Sequence, residues 1–121
     1  MILFFIINKM PLTNVLYVDD EVQWRRLAQA HFRKKLASNV DVAADYASGV
    51  KKIKKRFYDL IVVDGFGSLC FRLIEDVKTV PHGPIVIFSA NIGVASKAEK
   101  DGTPFYYKPE DLDKIVRTYK K

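Results

Sequence analysis

Runs of consecutive apolar residues alternate along the chain with stretches whose apolar residues recur every three or four positions. The continuous runs are typical of strands buried on both faces, and the spaced ones of helices with one buried face. Five runs predict strands: Val15–Val18, Val40–Ala44, Leu60–Val63, Ile85–Phe88 and Phe105–Tyr107. Asp41 interrupts the second run, which predicts that this strand lies at an edge of the sheet.

Four helices are predicted from apolar residues at helical spacing. These residues are Trp24, Leu27, Ala28, His31 and Phe32; Ala47, Val50, Ile53 and Phe57; Leu69, Leu73, Ile74 and Val77; and Leu112, Ile115, Val116 and Tyr119. Asp45 and Ser48 are candidate caps for the second helix. The interval Ile92–Lys100 has no clear pattern and stays unassigned. Strands that alternate with helices predict an α/β fold, a five-stranded parallel sheet with helices on both faces.

The chain of 121 residues predicts one domain, residues 13–121, preceded by an apolar tail, residues 1–12. The tail begins MILFFIIN, whose apolar run is far shorter than the roughly twenty residues of a membrane span. It also lacks the basic start and the small-residue cleavage site of a signal peptide. We therefore expect no membrane span. Two interpretations of the tail stay open: a stretch that precedes a domain starting near Met10, or a sticky segment that pairs with a partner.

Composition further restricts the class of protein and the kinds of partner. Cys70 is the single cysteine, which excludes an internal disulfide and a cysteine metal cluster and favours a cytoplasmic protein. The net charge of +6 could attract an acidic partner, but no RNA- or DNA-binding motif is present, so we do not expect nucleic-acid binding. The run KKIKKR, Lys51–Arg56, is interpreted as the solvated face of the second helix, with a nucleic-acid or membrane contact as the alternative.

Polar side chains follow the apolar runs at the points where four predicted strands end. Asp19 and Asp20 follow the first strand, Asp64 the third, Ser89 the fourth and Lys108 the fifth. Ligands of open parallel sheets bind beyond the carboxyl ends of the strands. The sequence therefore predicts that three carboxylates, a hydroxyl and an ammonium meet at one edge of the sheet.

The charges indicate the chemistry of this edge. Two carboxylates about 4 Å apart repel each other by roughly 1 to 4 kcal/mol, so three of them favour a bound cation. Oxygen ligands alone favour Mg²⁺ or Mn²⁺ over zinc. An aspartate beside such a metal can act as a nucleophile on phosphorus. The cation, Lys108 and Ser89 would each meet one oxygen of a transferred phosphoryl group.

With these residues, the chain resembles a stand-alone response-regulator receiver domain, the phospho-accepting half of two-component signalling. The resemblance extends from about Val15 to Lys121. It is carried by Asp19 and Asp20 in VDDE, Asp64 after a hydrophobic strand, Ser89-Ala90, and Lys108-Pro109. It implies the family's flavodoxin-like fold, a five-stranded parallel sheet with flanking helices. It also implies a histidine kinase or phosphotransfer protein as phosphodonor and a downstream protein partner.

The resemblance implies roles for individual residues. Asp64 would be the phosphorylated carboxylate. Asp19, Asp20 and Asp64 would hold Mg²⁺ together with the backbone carbonyl of Phe66. Lys108 would contact the phosphoryl group.

The resemblance also implies a switch. Ser89 would swing inward to hydrogen-bond the phosphoryl group, and the small Ala90 would leave the pocket open to the donor. Phe105, three residues before the lysine, matches the aromatic residue that changes rotamer in the family. A receiver of this kind is not an enzyme in the ordinary sense, and at most it assists its own phosphorylation and dephosphorylation.

The chain departs from the family pattern in three places. GFGSLCFRL follows Asp64, lacks the usual Pro and is several residues shorter than the usual loop. The segment between Ser89 and Phe105 is also short, and the last helix is expected to end soon after Tyr119. The first departure concerns a metal ligand, and the other two concern the surfaces that usually change on phosphorylation.

Two other functions are compatible with the same residues. One is a receiver-like protein-interaction module that no longer cycles phosphate. The other is a small Mg²⁺-dependent phosphatase with Asp64 as nucleophile, but such enzymes usually need a second acid two residues on, where this chain has Phe66. Asp19 and Asp20 could also simply cap the following helix.

Overall fold

In the computed structural model of the protein, residues 12–120 are described, apart from the side chain of Ser38. Strands and helices alternate along this whole stretch. The strands are β1 Leu12–Val18, β2 Ala37–Ala43, β3 Leu60–Asp64, β4 Ile85–Ser89 and β5 Phe105–Tyr107. The helices are α1 Val22–Lys35, α2 Tyr46–Lys55, α3 Leu69–Val77, α4 Ile92–Asp101 and α5 Leu112–Tyr119.

The strands form one parallel sheet in the order β2-β1-β3-β4-β5. The prediction of a five-stranded parallel sheet is confirmed, and so is the edge position of the strand that contains Asp41. Because consecutive parallel strands are joined through helices, every helix runs back against the direction of the strands. We call the edge where the strands end the carboxyl edge and the edge where they begin the amino edge.

Two hydrophobic cores lie on the two faces of the sheet. Helices α1 and α5 cover one face, where Phe32 and Ile115 pack against strand residues such as Tyr17 and Phe88. Helices α2, α3 and α4 cover the other face. The strand residues of β3 and β4 alternate between the two cores, which explains why their sequences are apolar without interruption.

Short-range signals define where α2 and α4 begin, at the carboxyl edge, and where α4 ends, at the amino edge. The Asp45 side chain accepts the amide of Ser48 at the start of α2, as the sequence predicted. Asn91 accepts the amide of Val94 in the same way at the start of α4. Gly102 ends α4 in the left-handed conformation, φ 73°, which glycine adopts without strain.

Several predicted boundaries and helix positions were wrong. Strand β1 begins at Leu12, three residues before the predicted start at Val15, because Leu12 is buried and pairs with Ala37. Strand β2 likewise begins three residues before Val40 and ends one residue before Ala44. Residues 1–11 of the predicted tail lie outside the described residues. Phe57 was wrongly placed on the second helix, which ends at Lys55.

Two further predictions are corrected by burial and by α4. Leu27, Ala47 and Leu69 were assigned to buried helix faces, but all three are exposed. The unassigned interval is helix α4, which buries only Val94 and Ala98 and therefore gives a weak apolar pattern. In the described residues, no helix is both long and apolar enough to cross a membrane.

Candidate functional site

Lys108 joins two strand ends at the carboxyl edge. Its ammonium lies 2.6 Å from Asp19 Oδ2 and 2.9 Å from Asp64 Oδ1. The exposed fractions of the three side chains are 10% for Lys108, 0% for Asp19 and 18% for Asp64. Two short, charge-assisted bonds away from solvent make this a strong ion-pair network. The lysine and the aspartate that it contacts at 2.6 Å are 89 positions apart in the chain.

Tyr17 is a second donor to Asp19. Its hydroxyl lies 2.5 Å from Asp19 Oδ2, while the other oxygen of Asp19 accepts the amide of Glu21 at 3.0 Å. Burial, followed by the hydrogen bond to Asp19 and the charges of Asp19 and Asp64, raises the pKa of Tyr17 far above the ordinary value for tyrosine. The phenol therefore stays protonated and holds Asp19 in one orientation. The N-cap residue of the helix that follows, Val22–Lys35, is Glu21, and no side chain caps that helix, so the capping role considered for Asp19 and Asp20 is wrong.

An aromatic wall flanks Lys108 on its other side. The ammonium lies 4.9 Å from the ring centroid of Trp24 and 5.8 Å from that of Phe88, and the two rings meet edge to face. Burial would lower the pKa of Lys108, but the hydrogen bonds and charges of Asp19 and Asp64 outweigh it and raise that pKa. The lysine is therefore a fixed positive charge at neutral pH.

Asp64 begins a tight loop. Its Oδ2 accepts the amide of Phe66 at 3.0 Å, and Phe66 has a positive φ of 47°, which is uncommon for a bulky residue. The Phe66 carbonyl accepts the amide of Leu69 at 3.2 Å. Because a carbonyl oxygen has two lone pairs, this turn leaves one of them for a cation.

Ser89 lies close to the same loop. It is buried, and its hydroxyl accepts the amide of Asn91 at 3.1 Å. A Cβ at Gly65 would lie only 2.9 Å from Ser89 Oγ, so the loop approaches the serine this closely only because residue 65 is glycine. Ala90, next to Ser89, is exposed.

The three carboxylates predicted from the strand ends lie together. Asp19, Asp20 and Asp64 each offer one oxygen, and these oxygens all lie within 4.8 Å of one another. Asp20 is exposed, and among the described residues it has no hydrogen-bond or ion-pair partner. Three carboxylate oxygens, one of them uncommitted and open to solvent, fit a hard divalent cation such as Mg²⁺.

Phe105 packs against the core on the face covered by α2, α3 and α4. It is half-buried on β5, and its ring meets that of Tyr107 edge to face with centroids 5.0 Å apart. The two rings line a surface groove of about 630 Å³ between β5 and α4. The sequence analysis did not single out Tyr107. Its position two residues after Phe105 on the same strand places both aromatic rings on one side of the sheet, and this spacing could have revealed the pair.

Comparison with known proteins agrees with this architecture. No protein-family model and no curated protein matches the chain. Solved structures do match. The receiver domain of the Francisella response regulator 1452 is 22% identical, with a TM-score of 0.69 over 88% of this chain and 93% of that chain. A CheY-like receiver domain from Methylobacillus flagellatus is 18% identical, with a TM-score of 0.74 over 90% of this chain and 99% of that chain.

A larger protein contains a similar unit. NtrX from Brucella abortus is 28% identical, with a TM-score of 0.74 over 90% of this chain, which spans only 25% of NtrX. These likenesses show that the chain has the fold of a response-regulator receiver domain, as the resemblance implied.

Sequence reasoning missed three contributors to the site. Tyr17 could have been found, because residues two apart on a strand point to the same side, and Tyr17 precedes Asp19 by two. Trp24 was expected in or near the core, and its contact with Lys108 depends on how α1 packs. Arg25, whose guanidinium donates to the Asp19 carbonyl at 2.9 Å, gave no signal in the sequence.

Proposed function

We propose that the protein is a phospho-accepting receiver of a two-component phosphorelay, phosphorylated on Asp64 with Mg²⁺ bound. The observation that carries the proposal is the bridge of Lys108 between Asp19 and Asp64, next to the exposed carboxylate of Asp20. This arrangement gives a nucleophilic carboxylate, a cation site and a fixed positive charge within one small region.

Asp19, Asp20 and Asp64 would hold the cation, with the carbonyl of Phe66 as a further ligand. When bound, Mg²⁺ supplies positive charge that neutralises phosphoryl oxygens during transfer. Asp20 is the natural first ligand, since its carboxylate has no partner among the described residues. The buried Asp19 is already oriented by Tyr17 and Lys108, so it adds negative charge to the site without needing to move.

The transfer itself uses the Asp64 carboxylate. An oxygen of Asp64 attacks the phosphorus of a phosphohistidine, a P–O bond forms, and the P–N bond breaks with its electron pair passing to the imidazole. The acyl phosphate that results carries more negative charge than the carboxylate it replaces. Lys108, already 2.9 Å from Asp64, meets part of this charge.

The response to phosphorylation would run through Ser89 and Phe105. The Ser89 hydroxyl, which now accepts the amide of Asn91, would turn to donate to the phosphoryl group. Phe105 would then change rotamer next to the groove between β5 and α4. The added charge is best met in one arrangement of these loops, so phosphorylation shifts the population toward it.

The implied partners follow from this chemistry. The donor is a histidine kinase or a phosphotransfer protein, and the output is contact with a downstream protein, in the cytoplasm. The receiver domains found in the comparison support this class of partner through their fold alone.

The decisive experiment is phosphorylation by a small donor. Purified protein is incubated with acetyl phosphate and Mg²⁺, and intact mass is measured. We expect one added phosphoryl group in wild type and in Asp76→Asn, an exposed aspartate on α3. We expect none in Asp64→Asn and none when Mg²⁺ is chelated. A mass gain in Asp64→Asn equal to that of wild type would refute the assignment.

A second readout tests the cation directly. Trp24 is the single tryptophan, and its ring lies beside Lys108, so Mg²⁺ titration should change its fluorescence. Asp20→Asn should weaken the apparent affinity more than tenfold, since it removes the uncommitted ligand charge. Asp76→Asn should leave the titration unchanged.

One observation favours the alternative of an interaction module that no longer cycles phosphate. Both oxygens of Asp19 already have protein donors, and Lys108 already neutralises part of the cluster without a cation. Under this alternative, binding of a partner protein would persist in Asp64→Asn and in the absence of Mg²⁺. The phosphatase interpretation has no second acid at Phe66, and turnover of a soluble phosphoester would be needed to support it.

A further inference from the structure

Among the described residues, Tyr17 is the one uncharged side chain that donates to the acidic cluster at the carboxyl edge. Its hydroxyl lies 2.5 Å from Asp19 Oδ2. The other donors to the cluster are the ammonium of Lys108 and the backbone amides of Glu21 and Phe66. Phosphoryl transfer requires the charge of the lysine but does not require a phenol. The presence of Tyr17 beside the acids therefore needs an explanation of its own.

The core fixes the position of this hydroxyl. Tyr17 lies on the interior strand β1, where it pairs with Val42 of β2 and with Val62 of β3. The residue is 0% exposed, and its ring packs against that of Phe32 on α1 with the centroids 6.2 Å apart. Because the interior is closely packed, the ring cannot turn its hydroxyl away from Asp19 without opening the core.

The acid that accepts this hydrogen bond is fixed as well. The backbone amide of Asp19 donates to the Ala43 carbonyl at 3.0 Å, and its backbone carbonyl accepts the Arg25 guanidinium at 2.9 Å. Its carboxylate accepts three further hydrogen bonds, two of them from side chains. Asp19 therefore acts on a cation from the position that it already has, and its donors stay beside it.

The three clustered acids differ in how far they are satisfied without a cation. Asp19 accepts three hydrogen bonds and Asp64 accepts two, whereas Asp20 accepts none from the described residues. A hydrogen bond is stronger when its acceptor carries a full negative charge. A carboxylate that shares its charge with a cation is thus a poorer acceptor. Cation binding would weaken the bonds already present, and Asp19 has the most bonds to weaken.

We propose that Tyr17 is a positioning residue that acts through Asp19 to lower the affinity of the carboxyl edge for Mg²⁺. Its hydroxyl stabilises the Asp19 carboxylate most strongly when no cation is bound, so cation binding works against this hydrogen bond. Lys108 acts on Asp19 in the same direction, but it also meets the phosphoryl group. The inference rests on the proposed function, because the cation site is part of it. The site would then fill and empty with the Mg²⁺ concentration rather than hold the cation permanently.

A purely structural role for Tyr17 predicts the opposite sign. If the hydroxyl only held the fold together, its loss would disorder Asp19 and would weaken both stability and cation binding. If the hydroxyl also opposes the cation, its loss lowers the stability of the metal-free protein but tightens Mg²⁺ binding. Measuring both quantities on the same variant therefore separates the two roles.

The test is calorimetric titration of the metal-free full chain with magnesium chloride at neutral pH and constant ionic strength. Loss of one hydrogen bond to a buried carboxylate should lower the Kd for Mg²⁺ about fivefold in Tyr17→Phe. Tyr17→Leu removes the same hydroxyl with a side chain of different shape and should also lower the Kd. Circular dichroism verifies that each variant is folded, and either variant alone is sufficient for the test.

Two controls show whether the effect passes through Asp19. Tyr58 is also buried and donates to an aspartate, Asp41, at 2.7 Å, but Asp41 is not one of the three clustered acids. Tyr58→Phe should therefore leave the Kd for Mg²⁺ unchanged. Asp19→Asn keeps the shape of the acceptor without its charge, so adding Tyr17→Phe to Asp19→Asn should no longer tighten binding.

Urea unfolding supplies the second quantity. Without metal, Tyr17→Phe and Tyr58→Phe should both unfold at lower urea concentrations than wild type, because each loses a buried hydrogen bond. A bound ligand stabilises the folded state by an amount that its Kd determines. The same addition of Mg²⁺ should therefore raise the urea midpoint more in Tyr17→Phe than in wild type, and equally in Tyr58→Phe and wild type.

Failure of the inference and failure of the proposed function give different results. If wild type binds Mg²⁺ and the Kd of Tyr17→Phe is unchanged or higher, the inference is wrong and the cation site stands. Equal tightening in Tyr58→Phe, or tightening that persists in the Asp19→Asn background, would also overturn the inference. If neither wild type nor any Tyr17 variant binds Mg²⁺, the cation site is refuted together with the inference. Binding that appears only after the hydroxyl is removed would support the inference.

Discussion

The two edges of the sheet differ in the burial and pairing of their charged side chains. At the carboxyl edge, Lys108, Asp19 and Asp64 are largely buried and satisfy one another at 2.6 and 2.9 Å. At the amino edge, the lysines that end α1 and α2 are exposed apart from the half-buried Lys52, and most have no acid within 4.0 Å in the described part of the chain. Both edges gather charge from several secondary-structure elements, but only one of them removes it from water.

This difference in burial determines where a charged side chain affects the stability of the fold. A buried ion must be paired, so the loss of one partner leaves an uncompensated charge in a poorly solvated place. An exposed ion is solvated in either state, and its loss changes mainly the electric field outside the protein. A single substitution at the carboxyl edge should therefore change stability, whereas one at the amino edge should leave stability nearly unchanged.

The largest expected effect is that of Lys108→Met. It leaves the buried Asp19 and its acidic neighbours without their cation, so the free energy of unfolding without Mg²⁺ should fall by about 3 kcal/mol. Added Mg²⁺ should recover part of this loss. Urea unfolding measures both quantities.

The matched control for Lys108 is Lys78→Met. Lys78 pairs with Glu75 on the exposed surface of α3, so its loss should cost less than about 1 kcal/mol. Equal effects of the two substitutions would mean that burial of the Lys108 network does not set its strength.

A pair of tyrosines sharpens the comparison. Tyr17 and Tyr58 are both buried, and each donates to an aspartate, at 2.5 Å to Asp19 and at 2.7 Å to Asp41. Asp41 is partly exposed and keeps Arg56 as a partner. Tyr17→Phe should lower the free energy of unfolding by about 2 kcal/mol, and Tyr58→Phe by about 1 kcal/mol. Chemical unfolding of the two variants in parallel would contradict this interpretation if Tyr58→Phe proved the more damaging.

Alkaline pH should weaken the carboxyl edge. Burial and the contacts with Asp19 raise the pKa of Tyr17, and the contacts of Lys108 with Asp19 and Asp64 outweigh burial and raise its pKa. A group whose pKa is raised on folding stabilises the protein fully below its unfolded pKa, about 10 for both groups, and loses that contribution as pH rises through the folded pKa. Stability from these groups should thus be constant from pH 7 to about 9.

Each such group adds a slope of about 1.4 kcal/mol per pH unit above about pH 10. Urea unfolding between pH 8 and about 11 should show a shallower decline for Tyr17→Phe than for wild type. If the free energy of unfolding falls with pH at the same rate in both proteins, Tyr17 does not contribute to the alkaline loss of stability.

The smallest stability effect is expected at the amino edge. Each of Lys34→Gln, Lys54→Gln and Lys55→Gln should change the free energy of unfolding by less than about 0.5 kcal/mol. A loss of stability as large as that of Lys108→Met would show that these lysines stabilise the fold through their charge. The proposed difference between the two edges would then be wrong.

Much of the fold could be predicted because strands buried on both faces need continuous apolar runs. Phe105–Tyr107 was predicted with its observed limits, and the remaining four strands differ at their ends. Helix α4 escaped prediction because only Val94 and Ala98 of its ten residues are buried. Phe57 was misassigned because spacing alone cannot distinguish the last turn of a helix from the loop after it.

The convergence of Asp19, Asp20, Asp64 and Lys108 was determined by the sequence together with one topological rule. Each residue follows an apolar run, and the ends of parallel strands meet at one edge. The partners of these residues were decided by the tertiary structure. The position of Tyr17 on the same side as Asp19 could be predicted from strand periodicity. The contact of Lys108 with Trp24 and Phe88 could not, because it depends on the packing of α1 against the sheet.

The same distinction holds at the amino edge. The sequence by itself determined that the chain is rich in lysine and begins with an apolar run. Only the folded sheet, by pairing β1 with β2, brings Leu12 beside Leu36 at the end of α1. Local patterns determine secondary structure because hydrogen bonding and burial repeat over a few residues, whereas contacts between distant residues depend on how the elements pack together.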